Sequence, residues 1–376
     1  MKNQVKILVS GDFCPVGRSE NLINNFALYE TFGDLIPLIR ESDISITNLE
    51  CPLTNSENAI EKTGPSLKAS LNVARFLKEA GFNLVTLANN HIMDYGVEGL
   101  NSTIRACSEE SINYTGVGNN LKEARLIHYQ EHSNLKIAFI NICENEWSTA
   151  NGDVAGANPL NIITNYYDIQ KAREKADYVL VILHGNNEMY HLPSPRIKEL
   201  CHFYIDSGAN FVICHHSHVY SGYEMYNNGM IFYGLGNFLF DNPSIRDDNW
   251  NNGIIIQICI DQKRFHFDII PVRQSDNKPG TRLIQENEDI FNRINHLNSI
   301  IVNDNLLYEE FLKFCTNNST MKIYNGFIEP YSNKYLTGLY KRNFLPSLIS
   351  KKKRMLLLNL IRCESHRDVL KIILNN

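Results

Sequence analysis

The feature that most constrains this chain is a regular alternation of short apolar runs with amphipathic segments. The runs are rich in β-branched and aromatic residues and are only four to eight residues long, which is typical of buried strands. They occupy residues 6–10, 44–47, 84–87, 136–142, 178–183, 211–214, 230–233, 253–260 and 265–272. The amphipathic segments, which have helical spacing, occupy residues 21–40, 72–80, 97–110, 167–176 and 194–207. This alternation predicts an α/β core whose sheet faces are covered by helices.

The pattern changes toward the end of the chain. From residue 230 the apolar runs follow each other without a helical segment between them, which predicts antiparallel strands that close a second sheet. Residues 285–376 carry periodic Leu, Ile and Phe and are expected to be helical. We therefore expect a main domain over residues 1–280 and a helical, basic region over residues 281–376.

The C-terminal region is basic, although the whole chain is not. Residues 331–376 hold ten basic side chains and only two acidic ones. Four consecutive basic residues, 351–354, precede an apolar stretch, so this segment could be a helix that lies on anionic lipid. It could equally be a C-terminal helix that packs its Leu face on the core and leaves the basic run in solvent. We favour the core-packing helix and keep peripheral membrane contact as the alternative.

Composition excludes several classes of protein. The chain has 376 residues and a net charge of −5, from 36 basic and 41 acidic side chains, which does not suit a nucleic-acid binder. The nine cysteines are odd in number and never spaced CxxC, which excludes a disulfide framework and a zinc ribbon. The first apolar run is too short for a signal peptide, and no stretch is long enough to span a bilayer. A cytoplasmic protein is the expectation, placed either free or at the inner face of the membrane.

Polar side chains cluster where the predicted strands end. Five of the first six strands are followed by residues suited to metal binding or acid–base chemistry: Asp12; Asn48 and Glu50; Asn89, Asn90, His91 and Asp94; His184; and His215, His216 and His218. Each alone fits an ordinary turn or helix cap. Because the carboxyl ends of strands in an open α/β sheet share one edge, the five groups can converge there. Imidazole and carboxylate ligands suit zinc, manganese or iron, so the sequence predicts a site for one or two divalent ions.

The order of these side chains resembles that of the calcineurin-like metallophosphoesterases. The amino-acid sequences of the motifs around them resemble the CapA family still more closely. That family is associated with synthesis of bacterial capsule and of poly-γ-glutamate. The matching segments cover roughly residues 5–272. They are 11–12 with 17–18, 48–54, 62–65, 88–96, 184–185 with 188, 215–218 and 233–238. The resemblance implies an α/β sandwich of two sheets flanked by helices, with the helical C-terminal region outside the match.

The resemblance also implies roles for individual residues. One divalent ion would be held by Asp12, Glu50 and His218, and the other by Glu50, Asn90, His184 and His216, so that Glu50 bridges the two. His91 would protonate the leaving group or stabilise its charge, and Asp94 would orient His91. The substrate pocket would be lined by Arg18, Asn48, Lys62 and Glu188.

Two departures from the metallophosphoesterase pattern affect the predicted metal site. The first strand ends in Asp12-Phe13-Cys14, where those enzymes carry Asp-x-His, and Cys14 either replaces the missing imidazole or leaves one ion weakly held. The second motif has Asn-Leu-Glu in place of Gly-Asp, so a longer carboxylate must reach the same position. The CapA family shares both changes.

Three functions remain open from the sequence. The first is a CapA-type metal-dependent hydrolase or transferase in synthesis of a capsular or related anionic polymer. The second is a non-catalytic accessory protein that binds polymer or the capsule synthesis machinery through the same cleft. The third is an intracellular phosphoesterase that acts on a small phosphorylated substrate. None of the three has nucleic acid as a partner.

Overall fold

The computed structural model describes residues 4–242, 244–245, 247–331, 333–362 and 374. The chain divides into two compact units, Met1–Tyr308 and Glu309–Asn376. The strands, all in the first unit, are β1 (Val5–Phe13), β2 (Ile44–Leu49), β3 (Leu84–Thr86), β4 (Asn113–Thr115), β5 (Val117–Gly118), β6 (His128–His132), β7 (Leu135–Cys143), β8 (Gly156–Ala157), β9 (Tyr178–His184), β10 (Phe211–His215), β11 (Tyr223–Tyr226), β12 (Gly229–Phe232), β13 (Asn237–Leu239), β14 (Asn252–Ile260), β15 (Phe265–Gln274) and β16 (Thr281–Leu283).

The helices alternate with the early strands and then follow the last of them. They are α1 (Arg18–Asn24), α2 (Leu28–Phe32), α3 (Leu35–Arg40), α4 (Asn72–Ala80), α5 (Gly96–Glu109), α6 (Leu121–Ala124), α7 (Ile162–Arg173), α8 (Pro195–Asp206), α9 (Asp248–Asn251), α10 (Glu288–Ile301), α11 (Asp304–Thr316), α12 (Asn318–Ile328), α13 (Lys334–Lys341) and α14 (Lys351–Arg362). Residues 363–373 and 375–376, part of the predicted basic region, lie outside the described residues.

Two sheets form the centre of the first unit. One has the strand order β16-β15-β14-β1-β2-β3-β4, with β13 paired to β1, and the other has the order β11-β12-β10-β9-β7-β6. A small third sheet consists of β5 and β8. β1, β2, β3 and β4 are parallel to one another, and so are β7, β9, β10 and β12. The predicted α/β class, with two sheets flanked by helices, is confirmed.

The core has two layers because β1 buries both of its faces. Ile7 and Val9 pack between the two sheets, together with Phe139 of β7 and Ile182 of β9. Leu8 points to the opposite face, where α1–α5 cover the first sheet. Alternate residues of a strand point to opposite faces, so a strand that is covered on both sides reads as a continuous apolar run.

An aromatic group forms the centre of the helix-covered layer. Phe32 stacks on Phe238 with ring centroids 5.1 Å apart, and Phe13, Phe76 and Phe82 surround that pair. The group joins α2 and α4 to β1 and β13, the strands that lead into the predicted site. Aromatic pairs of this kind contribute stability beyond the apolar area that they bury.

The sequence-based expectation for the strands after residue 230 is wrong in one respect. β14 and β15 are antiparallel, as expected, but they extend the first sheet, because β14 pairs with β1 along Val5–Val9. β12 instead lies parallel to β10 in the second sheet. Periodicity identifies a strand but carries no information about its partner, and that is why the pairing was not predictable.

The predicted helical segment 21–40 is also not continuous. It is divided into α1, α2 and α3 at Phe26 and Gly33, whose φ angles are +52° and +46°. Residues with positive φ cannot continue a right-handed helix. The three short helices can therefore follow the curved surface of the sheet.

The first unit extends past the predicted boundary at residue 280. Ile290 and Ile294 of α10 are buried in the core between the sheets. The ammonium group of Lys198 on α8 donates to the carbonyl oxygen of Ile301 at 2.7 Å. The boundary at 280 stays a prediction about domain organisation.

Among the residues that the structure describes, no helix combines the length and the apolar character needed to cross a bilayer.

A close approach of two backbones at Gly11 leads to a stability prediction. A Cβ atom added at Gly11 would lie 2.0 Å from the carbonyl oxygen of Gly236, which is the acceptor for the Asp12 amide. We expect Gly11→Ala to lower the free energy of unfolding by about 1–3 kcal/mol, because β13 must move away from β1. Urea denaturation measures this loss. The control is Gly338→Ala, where no atom lies within 4 Å of the added Cβ and where no loss is expected. Equal stability of the two variants would contradict the close approach.

Candidate metal centre

The predicted metal ligands meet at one edge of the two sheets, at the carboxyl ends of parallel strands. Asp12, near the end of β1, is in register with Asn48 of β2, and Glu50 follows β2 directly. His184 and His215 end β9 and β10 and are in register with each other. Parallel strands place their carboxyl ends on a common edge, which is why residues so distant in sequence converge.

Two overlapping groups of side chains can each hold a metal ion. Within each group, one ligand atom from every residue lies within 4.8 Å of the others. The first group is Asp12, Glu50 and His218, and the second is Glu50, His184 and His216. Because Glu50 belongs to both, its carboxylate is placed to bridge two ions, as in dinuclear hydrolytic sites.

The side-chain amide of Asn90 joins the second group. The Nε2 atom of His184 lies 3.1 Å from Oδ1 of Asn90 and 3.1 Å from Nδ1 of His216. The same nitrogen lies 3.5 Å from Oε1 of Glu50. Four potential ligand atoms thus surround one small volume. They belong to Glu50, Asn90, His184 and His216, which lie at or just after the ends of four different strands. This group has the nitrogen and oxygen donors that zinc, manganese and iron accept.

The carboxylate of Glu50 is the clearest indication that this site suits a cation. Glu50 is fully buried, and neither of its oxygens has a hydrogen-bond partner among the described residues. Burial, reinforced by the charges of Asp12 and Glu188, raises the pKa of Glu50 well above its ordinary value. A buried carboxylate without partners is costly unless a positive charge compensates it. A divalent ion on each side would supply that charge, so the residues present fit the metal.

Burial favours the neutral form of two of these imidazoles, His184 and His218, and an imidazole must be neutral to bind a metal ion. Burial, together with the neighbouring His216, lowers the pKa of His184 well below its ordinary value. Burial also lowers the pKa of His218, although the charge of Asp12 opposes that shift. A neutral imidazole keeps a lone pair free to bind a metal ion.

Asp12 is held in place by three hydrogen bonds. Its Oδ1 atom accepts from the amide of Asn48 at 2.8 Å and from Nδ1 of His215 at 3.1 Å, and its Oδ2 atom accepts from the backbone N–H of His216 at 3.2 Å. Burial alone would raise the pKa of Asp12, but the hydrogen bond and charge of His215 hold that pKa below its ordinary value. Asp12 is therefore a fixed carboxylate. His215 was visible in the sequence as part of the histidine cluster, but no role could be assigned to it there.

Asn48 lies behind the metal ligands and not in an open pocket. Its amide nitrogen also lies 3.1 Å from Nδ1 of His184, and its carbonyl oxygen accepts from the hydroxyl of Thr86. The side chain is fully buried. Its hydrogen-bonding groups are thus used to orient Asp12 and His184, and we do not carry its predicted substrate-binding role further.

Asn237 is a site residue that sequence reasoning missed. Its Oδ1 atom lies 3.0 Å from Nδ1 of His218, and its amide nitrogen donates to the carbonyl oxygen of Trp250 at 3.1 Å. With Nδ1 donating to Asn237, His218 keeps the lone pair of Nε2, which faces Glu50 at 3.8 Å. Asn237 lies in segment 233–238, one of the segments that resemble the CapA family, and that resemblance was the available signal.

The backbone of the histidine cluster is strained. His216 and His218 have φ angles of +85° and +58°, in the left-handed region that side chains with a Cβ rarely adopt. Strain of this kind persists where the surrounding structure imposes it, and it concentrates at functional sites. Here it turns two residues that are two positions apart toward different groups of ligands.

His91, Asp94 and Lys62 form a separate cluster beside Asn90. The Nδ1 atom of His91 lies 2.7 Å from Oδ2 of Asp94, which also accepts the backbone N–H of Leu67 at 2.7 Å. The ammonium group of Lys62 forms an ion pair with Asp94 and lies 3.2 Å from Nδ1 of His91. The structure therefore brings the predicted catalytic pair, His91 and Asp94, together.

Lys62 reaches this cluster from the long segment between β2 and α4. Its side chain is only 3% exposed although its neighbours in the chain, Glu61 and Thr63, are exposed. The hydroxyl of Thr63 accepts from the indole N–H of Trp147 at 3.2 Å, which ties this segment to the loop after β7. The segment thus closes one side of the site.

The remaining predicted substrate-binding residues lie in different settings. The guanidinium of Arg18 forms an ion pair with Asp241 and donates to the carbonyl oxygens of residues 275–277. These bonds join α1 to the segment after β15, so Arg18 is not carried into the proposed site. Glu188 is exposed, and its charge acts on Glu50 and His218.

Cys14 does not replace the imidazole that the first strand lacks. It is buried in the helix-covered layer and belongs to neither group of ligands. Burial, together with the neighbouring Cys51, raises the pKa of Cys14 well above its ordinary value, which keeps it a thiol. Metal ions bind the thiolate, so the first group has one imidazole.

Comparison with known proteins identifies the family. The family model described as "Bacterial capsule synthesis protein PGA_cap" matches residues 6–242, more than half of the chain. The chain belongs to this family. The resemblance to the CapA family seen in the sequence is thereby confirmed. The match contains all eight residues predicted to bind metal or to act in catalysis: Asp12, Glu50, Asn90, His91, Asp94, His184, His216 and His218.

Two curated relatives of this PGA_cap protein have related names. The "Capsule biosynthesis protein CapA" of Bacillus anthracis is 29% identical over 289 residues, which are 74% of this chain and 70% of the relative. The "PGA biosynthesis protein CapA" of Bacillus subtilis (strain 168) is 32% identical over 209 residues, or 54% of this chain and 55% of the relative. Among solved structures, a 5'-nucleotidase from Candida albicans SC5314 is similar, with 11% identity and a TM-score of 0.39. The match covers 83% of this chain and 58% of the 5'-nucleotidase chain. At that score the likeness carries no argument.

The contact between Asn237 and His218 leads to a prediction about metal affinity. We expect Asn237→Leu to weaken binding of zinc or manganese by about 10- to 100-fold, because His218 loses the acceptor that fixes its ring and tautomer. Competition with a chelator measures the affinity. The control is Asn165→Leu, which removes a buried amide of α7 that bonds Tyr204 and Pro159, outside both groups of ligands. Unchanged affinity in a folded Asn237→Leu protein would contradict the proposed role.

Proposed function

We propose that this PGA_cap protein is a metal-dependent hydrolase or transferase that acts in the synthesis of a capsular polysaccharide or of poly-γ-glutamate. The observation that carries the proposal is the buried Glu50 carboxylate, which has no hydrogen-bond partner among the described residues and lies between two groups of ligands. In dinuclear sites, the bound divalent ions act as Lewis acids and make water acidic enough to react near neutral pH.

The protein groups around the metal centre would each have a distinct task. Asp12 and His218 on one side, and Asn90, His184 and His216 on the other, would hold the ions. His91 would give a proton to a leaving group through Nε2, because Nδ1 is held by Asp94. The positive charge of Lys62 would balance the negative charge of Asp94 and so help to hold Asp94 against the His91 ring.

The link to capsule synthesis rests on family membership and on the names of the relatives. Those names associate the Bacillus anthracis protein with capsule biosynthesis and the Bacillus subtilis protein with PGA biosynthesis. The substrate would then be an anionic polymer or a phosphorylated intermediate of its synthesis. A place near the capsule synthesis machinery in the cytoplasm, at the inner face of the membrane, would follow.

A non-catalytic accessory role is the second candidate. The first group of ligands has only three side chains and one imidazole, since Cys14 does not contribute. A relative from Mycobacterium tuberculosis, 22% identical over 236 residues, bears the name "Probable polyglutamine synthesis accessory protein". A site that binds a single ion could hold a polymer or a synthase without cleaving any bond.

Elemental analysis tests the metal centre directly. We expect protein that is saturated with manganese or zinc and then desalted to retain two equivalents. Glu50→Gln should lose both ions, because the bridging carboxylate serves both groups. His216→Ala should lose the ion of the second group. The matched control is Glu224→Gln, which changes another buried carboxyl that bonds His202 and Tyr233. A Glu50→Gln protein that keeps both ions would contradict the proposed bridge.

Turnover distinguishes the two candidates. The metal-loaded protein is assayed on phosphomonoesters, phosphodiesters and γ-glutamyl amides. Hydrolysis of one class that is lost in Glu50→Gln supports the enzyme. No turnover on any class, with both ions bound, favours the accessory role.

The ion pair of Lys62 with Asp94 predicts a kinetic effect. On a substrate that the wild-type protein turns over, we expect Lys62→Met to lower kcat by about 100-fold at unchanged metal content, because the His91–Asp94 pair loses its counter-charge. The control is Lys68→Met on the same segment, whose ammonium pairs with exposed Glu57. If Lys62→Met changes only KM, Lys62 binds substrate and does not orient the catalytic pair.

A further inference from the structure

The C-terminal unit consists of helices that bury almost nothing. Of the residues that the structure describes between 309 and 362, only Gly326 and Glu329 are buried. Large apolar side chains are exposed instead, including Phe327 at 70%, Tyr335 at 74% and Met355 at 64%. A soluble surface rarely leaves so many large apolar residues together, and such patches mark interaction sites.

The exposed apolar residues form a face on α12 and continue on α14. On α12 they are Met321, Ile323, Tyr324, Phe327 and Ile328, which lie on one side of the helix. On α14, directly after the basic run 351–354, the exposed residues Met355, Leu356, Leu358 and Ile361 are spread over more than half of the helix surface. Two other leucines of α14, Leu357 and Leu360, are half-buried, so the apolar side chains of this helix are only partly covered.

The charge of the same unit indicates what these faces contact. From residue 330 to residue 363 the sequence has eight basic residues and no acidic one. Lys351, Lys352 and Lys353 are exposed, and none of them forms an ion pair with a described residue. Arg354 is different, because it pairs with Glu329 inside the unit. Exposed apolar residues beside unpaired lysines match a surface that is apolar inside and negatively charged outside.

We propose that the C-terminal unit is a docking surface for an anionic lipid membrane, on which its helices lie in the interface without crossing it. Amphipathic helices bind in this way when an apolar face enters the boundary between headgroups and acyl chains and basic residues contact acidic headgroups. Tyr324, Tyr335 and Phe344 are exposed aromatic residues of the kind that concentrate at membrane interfaces. The described helices are too short and too polar to span the bilayer.

Charge complementarity also favours a membrane over a second copy of the chain as the partner of this surface. Two copies that met through this surface would bring two runs of lysine together, and like charges at close range oppose association. An anionic membrane has the opposite charge. The proposal does not depend on the metal centre, since the two features involve different residues.

Vesicle sedimentation with the full chain tests the proposal. We expect binding to vesicles of phosphatidylcholine with phosphatidylglycerol, little binding to phosphatidylcholine alone, and release by high salt. The charge variant K351Q/K352Q/K353Q should weaken binding at least about 10-fold. Its matched control, K122Q/K171Q/K175Q, removes three exposed lysines of the first unit and should bind as the wild type does.

A second pair of variants tests the apolar faces. F327S/M355S should lose binding even at low salt, whereas I163S/M225S, which changes two comparably exposed residues of the first unit, should retain it. Circular dichroism and metal content establish that each variant is folded. Equal binding of neutral and anionic vesicles, or no binding at all, overturns the proposal. So does a wild-type dimer, seen by light scattering without lipid, that F327S/M355S converts to monomer, because a second copy is then the occupant. A large loss of thermal stability in F327S/M355S also overturns it, since these side chains then pack within the protein.

Discussion

The carboxylate of Glu50 is the constraint around which the candidate centre is arranged. It is fully buried, and neither oxygen has a hydrogen-bond partner among the residues that the structure describes. Neighbouring candidate ligands do have protein partners: Asp12 accepts three hydrogen bonds, and His218 has Asn237. An unpaired carboxylate among paired neighbours suits a bound cation, because burial of a lone carboxylate opposes folding. The protein would then be more stable with its ions than without them.

The sheet topology is what allows this carboxylate to be buried at all. The first sheet supplies Asp12 and Glu50, and the second supplies His184 and the histidine cluster that follows β10. β13 pairs with β1 through the close contact of Gly11 with Gly236 and so places Asn237 beside Asp12. The site thus depends on two glycines that carry no chemistry themselves. Their role is to let two strand ends approach closely enough to bury the ligands.

Much of this arrangement follows from the sequence, but for reasons that differ between parts. Strand periodicity and the position of polar residues at strand ends predicted the α/β class and the convergence of Asp12, Glu50 and His184. The same periodicity could not show that β14 pairs with β1, because pairing depends on partners distant in the chain. It also could not separate residues that face a substrate from those that support ligands. Asn48 and Arg18 are polar residues in motifs, yet the first orients ligands and the second joins two segments.

The two groups of ligands differ in the number of side chains that they offer, and hydrogen bonds that fix the ligands of the smaller group offset part of that difference. The second group offers four side chains, counting Asn90, whereas the first offers three and lacks the imidazole that Cys14 cannot replace. The ligands specific to the first group are rigidly held: Asn48, His215 and the His216 backbone fix Asp12, and Asn237 fixes His218. A ligand already fixed in its binding geometry loses less conformational entropy when the ion binds. If two ions bind, this rigidity on the side with fewer ligands would make their affinities more similar than the number of ligands alone would give.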